Sequence, residues 1–448
     1  MPATPELPAV ATSPPSPPPR PGPASRRPHR AWGVAAVAGV AIVTAGAFTT
    51  VPGLITPALH QEFGWSRSTI GLAASVAMVL YGLTAPFAAA LMDRHGIRRV
   101  VAGALLLVAT GAALTTVMTA AWQLVLFWGV LVGLGSGSLT MTLAATVAQR
   151  WFTARRGLVT GALSASAHVG QMLFLPLLAL GVERFDWRPA LITLALTAAA
   201  VTTLVLLLLH DHPARLGLRP YGAGEDVPAP PPTRGAARRT LAVLAGAARS
   251  RVFWLLAAMF VICGASTNGI LWTNFAPAAH DHGMPVPVAA GLLSAIGVFS
   301  ALGTLGSGWL TDRLDPRLLL AVYFAVRALT LLLLPLLFAA SVQPSMVAFV
   351  VVYGLVDVAT VPPVIALTTA CFGTDGPIVF GWVNSAHQIG AGISALLGAA
   401  ARDLFGSYDL VWFALAVCCL LAALTALVVR VPPSPATLPP RQAEAAVP

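Results

Sequence analysis

Apolar residues run through this chain in long blocks, separated by short charged or proline-rich intervals. A helix needs ~20 apolar residues to cross the hydrocarbon core of a bilayer. By that rule the blocks predict twelve spans, near 31–56, 68–92, 99–119, 121–149, 156–181, 188–209, 253–279, 286–311, 318–340, 345–371, 377–401 and 408–430. They are numbered one to twelve in that order. One long interval, 210–252, has a proline-rich centre at 227–232 and a basic second part, and it divides six spans from six. The expected fold class is an all-α integral membrane protein of two six-helix bundles, at 31–209 and 253–430, joined by a linker loop. Residues 1–30 and 431–448 are proline-rich, poor in apolar groups, and expected to be disordered tails. The first apolar block is too long for a signal-peptide core and lacks a cleavage site, so it reads as an uncleaved span.

Composition excludes a soluble protein. The 448 residues are 57% hydrophobic and 9% charged, against roughly 25% charged in a soluble domain. The net charge of +10 comes from arginines lying between apolar blocks rather than on one basic face, so no nucleic-acid partner is expected. All 26 basic residues are arginine. With the N-terminus inside, 21 fall on the inner side and 4 (Arg67, Arg184, Arg188, Arg402) on the outer, while Arg327 lies within span nine. Positive charge marks the cytoplasmic side, so both termini are expected in the cytoplasm and the protein in the cell (plasma) membrane. Cys263, Cys371, Cys418 and Cys419 all sit in apolar blocks, which argues against a disulfide framework and against a metal site. No metal and no cofactor is expected.

A charged hairpin occurs twice. Residues 86–100, PFAAALMDRHGIRRV, end span two and carry Asp93, Arg94, Arg98 and Arg99 around Gly96. Gly96 allows a turn too tight for a residue with a Cβ, and Asp93 is free to pair with an arginine or a helix terminus. Gly308, Leu310, Asp312 and Arg313 repeat the pattern after span eight. Further matches relate the halves: 133–152 answers 354–372, and Ser166-Ala-His168 answers Ser385-Ala-His387. Such repeats build many secondary transporters, with the substrate site near the midplane between them.

Ionisable groups inside a span cost about 2.5–3.5 kcal/mol on insertion scales, so each needs a reason. His168 and His387 fall near mid-bilayer at the helical rise of ~1.5 Å per residue. Either they are proton sites, since histidine titrates near neutrality, or they bond a neighbouring helix and fix packing. Asp357 in span ten and Arg327 in span nine also reach mid-depth. Either they form a buried ion pair, or Asp357 faces a cavity and takes up a proton. Gln171, Asn268, Trp272, Asn274, Asn384 and Gln388 complete the candidate cavity set. Amides of this kind also pair between helices for ~0.6 kcal/mol, and Trp272 could instead anchor span seven at the interface.

The hairpin resembles the cytoplasmic loop 2–3 signature of the major facilitator superfamily, G-x-L-x-D-R-x-G-R-R. The first copy has Ala89 at the first glycine, then Leu91, Asp93, Arg94 and Gly96 in place, with Arg98 and Arg99 following one position late after Ile97; the second has Asp315 at the second glycine. The resemblance implies two pseudo-symmetric bundles around a cavity open to each side in turn, and a cytoplasmic gate at Asp93, Arg94, Gly96, Arg98, Arg99, Gly308, Asp312 and Arg313. Phe63-Gly-Trp65-Ser-Arg67 and Trp151-Phe-Thr-Ala-Arg155-Arg156-Gly157 resemble the bacterial monocarboxylate-porter and oxalate/formate-exchanger branch. That branch places an arginine in span eight to hold a carboxylate, whereas residues 291–309 carry no charge. The expected function is secondary active transport of a small organic solute, a monocarboxylate among the candidates, coupled to protons and carried out by a monomer. Efflux of a drug or metabolite, or a non-transporting receptor on the same fold, are the alternatives. No acid–base pair points to an enzyme.

The arginine bias makes topology testable. A cysteine introduced at Leu218 should be shielded from impermeant thiol reagents in intact cells, and one at Glu183 should be labelled. The reverse pattern of labelling would overturn the inside placement of both termini.

Overall fold

A computed structural model of the chain describes residues 29–49, 51–139, 141–224 and 235–429. The expected tails, apart from His29 and Arg30, and the proline-rich stretch 227–232 fall outside the described residues. The fold is all-α, two bundles of six helices. Eleven helical runs among the described residues are long and apolar enough to cross a membrane. Span eleven, Gly376–Phe405, is the longest helix at 30 residues but is less apolar, since it carries Asn384, Ser385, His387 and Gln388. Protein rather than lipid surrounds that stretch: it packs along spans two and seven. Elsewhere large aliphatic side chains point outward, Leu305, Leu336 and Leu404 being 74%, 78% and 77% exposed. Hydrocarbon is the solvent that suits such a surface.

Four spans are broken, and they are the first helix of each successive set of three. Span one passes from Arg30–Ala47 to Val51–Phe63. Span four passes through a π-helical stretch, Val125–Val132, and Gly133–Gly137 before Met141–Trp151. Span seven has π-helical Ala265–Gly269 between Arg251–Gly264 and Leu271–Asp281. Span ten stops at Asp357 and restarts at Val361. Pro52 and Pro362 sit in the first turn of the restarted helices in spans one and ten. Proline lacks an N–H that this position would leave unbonded anyway, and its φ suits a helix start.

Reciprocal glycines lock each half. A Cβ on Gly46 would run into the carbonyl oxygen of Ala167, and one on Gly170 into that of Val43, so spans one and five cross backbone to backbone. In the second half Gly264 meets the carbonyl of His387, and Gly390 that of Val261. These pairs correct the alignment of the halves by one residue. Ala167, not His168, is the counterpart of His387, and His168 answers Gln388. One residue is about 100° of helix rotation, so the two histidines are not symmetry mates.

Between the bundles, spans two and eleven run against each other, as do five and eight. Ser385 Oγ donates to the Gly82 carbonyl at 2.9 Å, and Gly297 lies against Met172. The linker is not all loop. It holds a 12-residue helix, Ala236–Ala247, pinned to span eleven by the Trp382 indole donating to the Thr240 carbonyl at 3.1 Å.

Gly264→Ala should therefore wedge spans seven and eleven apart and lower the melting temperature in detergent by several degrees, about 2–3 kcal/mol as for an overpacked core. Gly33→Ala, with nothing within 4 Å of the added methyl, should melt like the parent. Equal melting of both variants would refute the glycine lock.

Candidate functional site

Where the broken spans converge, a cavity of about 180 Å³ opens between the bundles. Of the expected residues His168, Gln171, Asn268, Trp272, Asp357, Asn384, His387 and Gln388 line it, together with Thr49, Tyr81, Ser136, Cys263 and Thr360, which the sequence did not single out. Arg327 and Asn274 do not. Asn274 is buried behind the wall, its amide donating to the carbonyls of Gly269 and Ala395, both at 3.4 Å. It stitches the π-helical stretch of span seven to span eleven.

Arg327 is fully buried and makes no ion pair with the Asp357 carboxylate. Its Nη2 donates to the main-chain carbonyls of Val356 (2.7 Å) and Asp357 (2.6 Å), and its Nη1 to Cys263 Sγ (3.2 Å) and Ser266 Oγ (3.3 Å). The expected ion pair is thus a helix cap. Where span ten breaks, its last carbonyls lose their intrahelical partners, and the negative end of the helix attracts a cation. Span seven answers its own irregularity in the same way, since the Tyr353 hydroxyl donates to the Ser266 carbonyl at 2.7 Å.

Capping the main chain leaves the Asp357 side chain to the cavity. Oδ2 accepts from Ser300 Oγ at 2.9 Å and from the Trp272 indole at 3.3 Å. Oδ1 is buried with no partner, and so is His387 Nδ1. Trp272 is only 6% exposed and serves the cavity rather than an interface. Gln171 donates to Thr49 Oγ1 at 2.7 Å, tying span five to the break in span one.

The charged hairpins are built differently from the expected cluster. Asp93 pairs with Arg150 at the end of span four, while Arg94, Arg98 and Arg99 are exposed. Gly96 adopts φ +88°, and the Asp211 carboxylate fills the space a Cβ would take while accepting from Arg98 N (2.9 Å) and Arg215 (2.9 Å). Burial, with Arg150 and Arg215 nearby, pushes the neighbouring His212 below its usual pKa. In the second copy Gly308 has open space beside it, Arg313 folds back over the Trp309 ring at 4.0 Å, and Asp315, not Asp312, takes an arginine, Arg317. The Arg317 hydrogen bond holds Asp315 below the usual carboxylate range. No ion pair joins the halves on this arginine-rich face among the described residues.

The opposite face is latched. Asp281, ending span seven, accepts from Arg67 Nη2 at 2.9 Å and from Arg402 Nε at 2.6 Å. Asp403 caps span two across the boundary, accepting from Arg67 N (3.1 Å) and Ser68 N (2.7 Å). The motif Phe63-Gly-Trp65-Ser-Arg67 therefore supplies the first half's side of this closure. Only an acid near the end of span seven or eleven could have signalled it in the sequence.

The sequence profile of the Major Facilitator Superfamily matches residues 37–325 and again 261–448. The chain is 25% identical over 379 residues to the MFS-type transporter YcxA of Bacillus subtilis (strain 168), covering 84% of this chain and 88% of that one. It is 28% identical over 392 residues to monocarboxylate transporter 11 of Homo sapiens, covering 85% and 79%. Among solved structures, a D-xylose-proton symporter superposes with a TM-score of 0.70 at 14% identity, over 90% of this chain and 98% of that one. An inward-facing, occupied bacterial homologue of the lysosomal transporter Spinster gives 0.67 at 16%, over 90% and 97%. With its twelve helices, paired hairpins and central cavity, this chain belongs to the Major Facilitator Superfamily, as a multi-pass membrane transporter and not an enzyme.

Proposed function

We propose that this protein is a proton-coupled secondary transporter of a small organic solute in the plasma membrane, working by alternating access with its termini in the cytoplasm. The observation that carries the reading is Asp357: a carboxylate at the break of a cavity-lining helix, with one oxygen paired and the other free. Ionised, it is expensive in hydrocarbon unless paired or hydrated. Proton uptake removes that cost, so its protonation can bias the balance between conformations. The groups facing this region are His168 from span five, Cys263 from span seven, Arg327 from span nine, His387 from span eleven, Cys419 from span twelve and Tyr353 on its own helix. Arg327 stays charged at all relevant pH, so it acts as a fixed background rather than a switch. His168 and His387 are the imidazoles that line the cavity. Gln171, Asn268, Trp272, Asn384 and Gln388 are assigned to solute contact, and the Asp93 hairpin to the cytoplasmic gate.

In proteoliposomes, with a solute found by screening for proton movement, Asp357→Asn should abolish pH-driven uphill accumulation. Exchange of solute down its own gradient should survive at saturating solute. Wild-type accumulation in that variant would remove Asp357 from coupling.

The latch at Asp281 should hold the outer side closed. With nitroxide labels at positions 183 and 343, on a Cys371→Ser, Cys418→Ser background, Asp281→Asn should raise the longer-distance population about fivefold, equivalent to ~1 kcal/mol for a partly exposed ion pair. An unchanged distance distribution would show that the network does not govern closure.

A further inference from the structure

Among the described residues no arginine lines this cavity, and the chain has no lysine. The acid among the cavity's lining residues is Asp357. Oδ1 of that carboxylate is buried, unpartnered and at the cavity wall. The guanidinium that could have neutralised it is turned onto two main-chain carbonyls and the Cys263 sulfur, where the negative end of a helix offsets its charge. The cavity that the carboxylate shares is lined by Phe48, Tyr81, Trp128, Phe260 and Trp272. Aromatic faces attract cations, by about 2 kcal/mol or more where water is excluded.

From this geometry we infer that the cargo is a small organic cation with an apolar body, a protonated or quaternary amine, held by Asp357 and enclosed by the aromatic side chains. The inference deepens the transport reading above and rests on it. A carboxylate solute would meet an acid and, besides the imidazoles of His168 and His387, no basic side chain among the described lining residues. An ammonium supplies the counter-charge that the free oxygen lacks, and the rings take the rest of the molecule. Because cation and proton then claim the same carboxylate, binding of one releases the other. The carrier becomes an antiporter, a proton entering as the organic cation leaves. His168 and His387 also face the cavity.

The test is equilibrium binding to the purified full-length protein in detergent, followed by tryptophan fluorescence. The probes are benzyltrimethylammonium, whose charge does not titrate, and phenylacetate, an anion of similar size. The cation should bind saturably and at least about tenfold more tightly than the anion. Its affinity should fall as the pH is lowered below neutrality. Asp357→Asn should weaken it about tenfold or more, while Asp357→Glu, which keeps the charge, should retain most of it; melting curves of both variants report folding. Preference for phenylacetate, binding of neither probe, or equal cation affinity in the parent and a folded Asp357→Asn would overturn the assignment. If cation selectivity persists but pH-driven accumulation is absent, the cargo assignment stands and the coupling reading alone fails.

Discussion

The cap that Arg327 places on span ten is the interaction on which the site depends. Within a bilayer no water is at hand for an orphaned carbonyl, and each unsatisfied group costs several kcal/mol. A helix broken at mid-depth needs an internal donor, and a guanidinium with parallel N–H groups can serve two carbonyls at once. Val356 and Asp357 present theirs side by side at the helix end. Span nine therefore spends a fixed charge on main chain, and that frees the Asp357 side chain for the cavity. The same arrangement explains how an arginine can be fully buried without a carboxylate partner. Four acceptors surround its terminal nitrogens, and the Phe324 ring lies 5.3 Å away.

The other breaks follow from the same constraint. In each, a main-chain group freed from the helix is met by a side chain or by a local change of winding. Tyr353 and Asn274 serve the π-helical stretch of span seven, and Thr273 Oγ1 donates to the Asn268 carbonyl at 2.9 Å. Reciprocal glycines then set how closely spans one and five, or seven and eleven, can approach. Gly264 and Gly390 press on spans that carry Cys263 and His387, so packing and cavity lining are fixed by the same crossing. A π-helical segment beside a site is a common way to aim side chains that regular winding would turn elsewhere.

Much of the fold was legible because it is written in residue classes. Apolar length marks the spans, and the twice-occurring Asp-Arg hairpin marks the repeat. The misreadings arise where sequence shows a residue type but not what it touches. Arg327 and Asp357 look like an ion pair because opposite charges at one depth usually attract; the contact is made by carbonyls, which sequence cannot display. The histidines look symmetric because identical Ser-Ala-His triplets align by eye, yet the glycine crossings shift the register by one. Asn274 lies only two residues beyond Trp272, but on a face that spans seven and eleven bury. Asp281, Asp211 and Arg150 passed unremarked since single charges at helix ends are ordinary. The breaks themselves had a signal in Thr49-Thr50-Val51-Pro52 and Thr360-Val361-Pro362, a proline placed for a helix start inside an apolar block.

How the halves are joined bears on how they can move. Deep in the protein, spans two and eleven meet through small residues, Gly82 against Gln388 and Gly392 against Ser75, with a single hydroxyl-to-carbonyl bond nearby. Contacts of this kind tolerate rolling, because they carry no buried charge that must stay paired. Among the described residues, the charged contacts between the halves lie at one face only, where Asp281 and Asp403 hold Arg67 and Ser68. Partly exposed ion pairs are worth little each, so a few of them can tip a balance without freezing it. In the proposed coupling, the buried acid at the break of span ten adds a second bias, one that a proton or a bound charge cancels. A carrier needs two conformations of nearly equal free energy. Shallow charge at the rim and a neutral seam in the middle suit that need better than a network of buried salt bridges could.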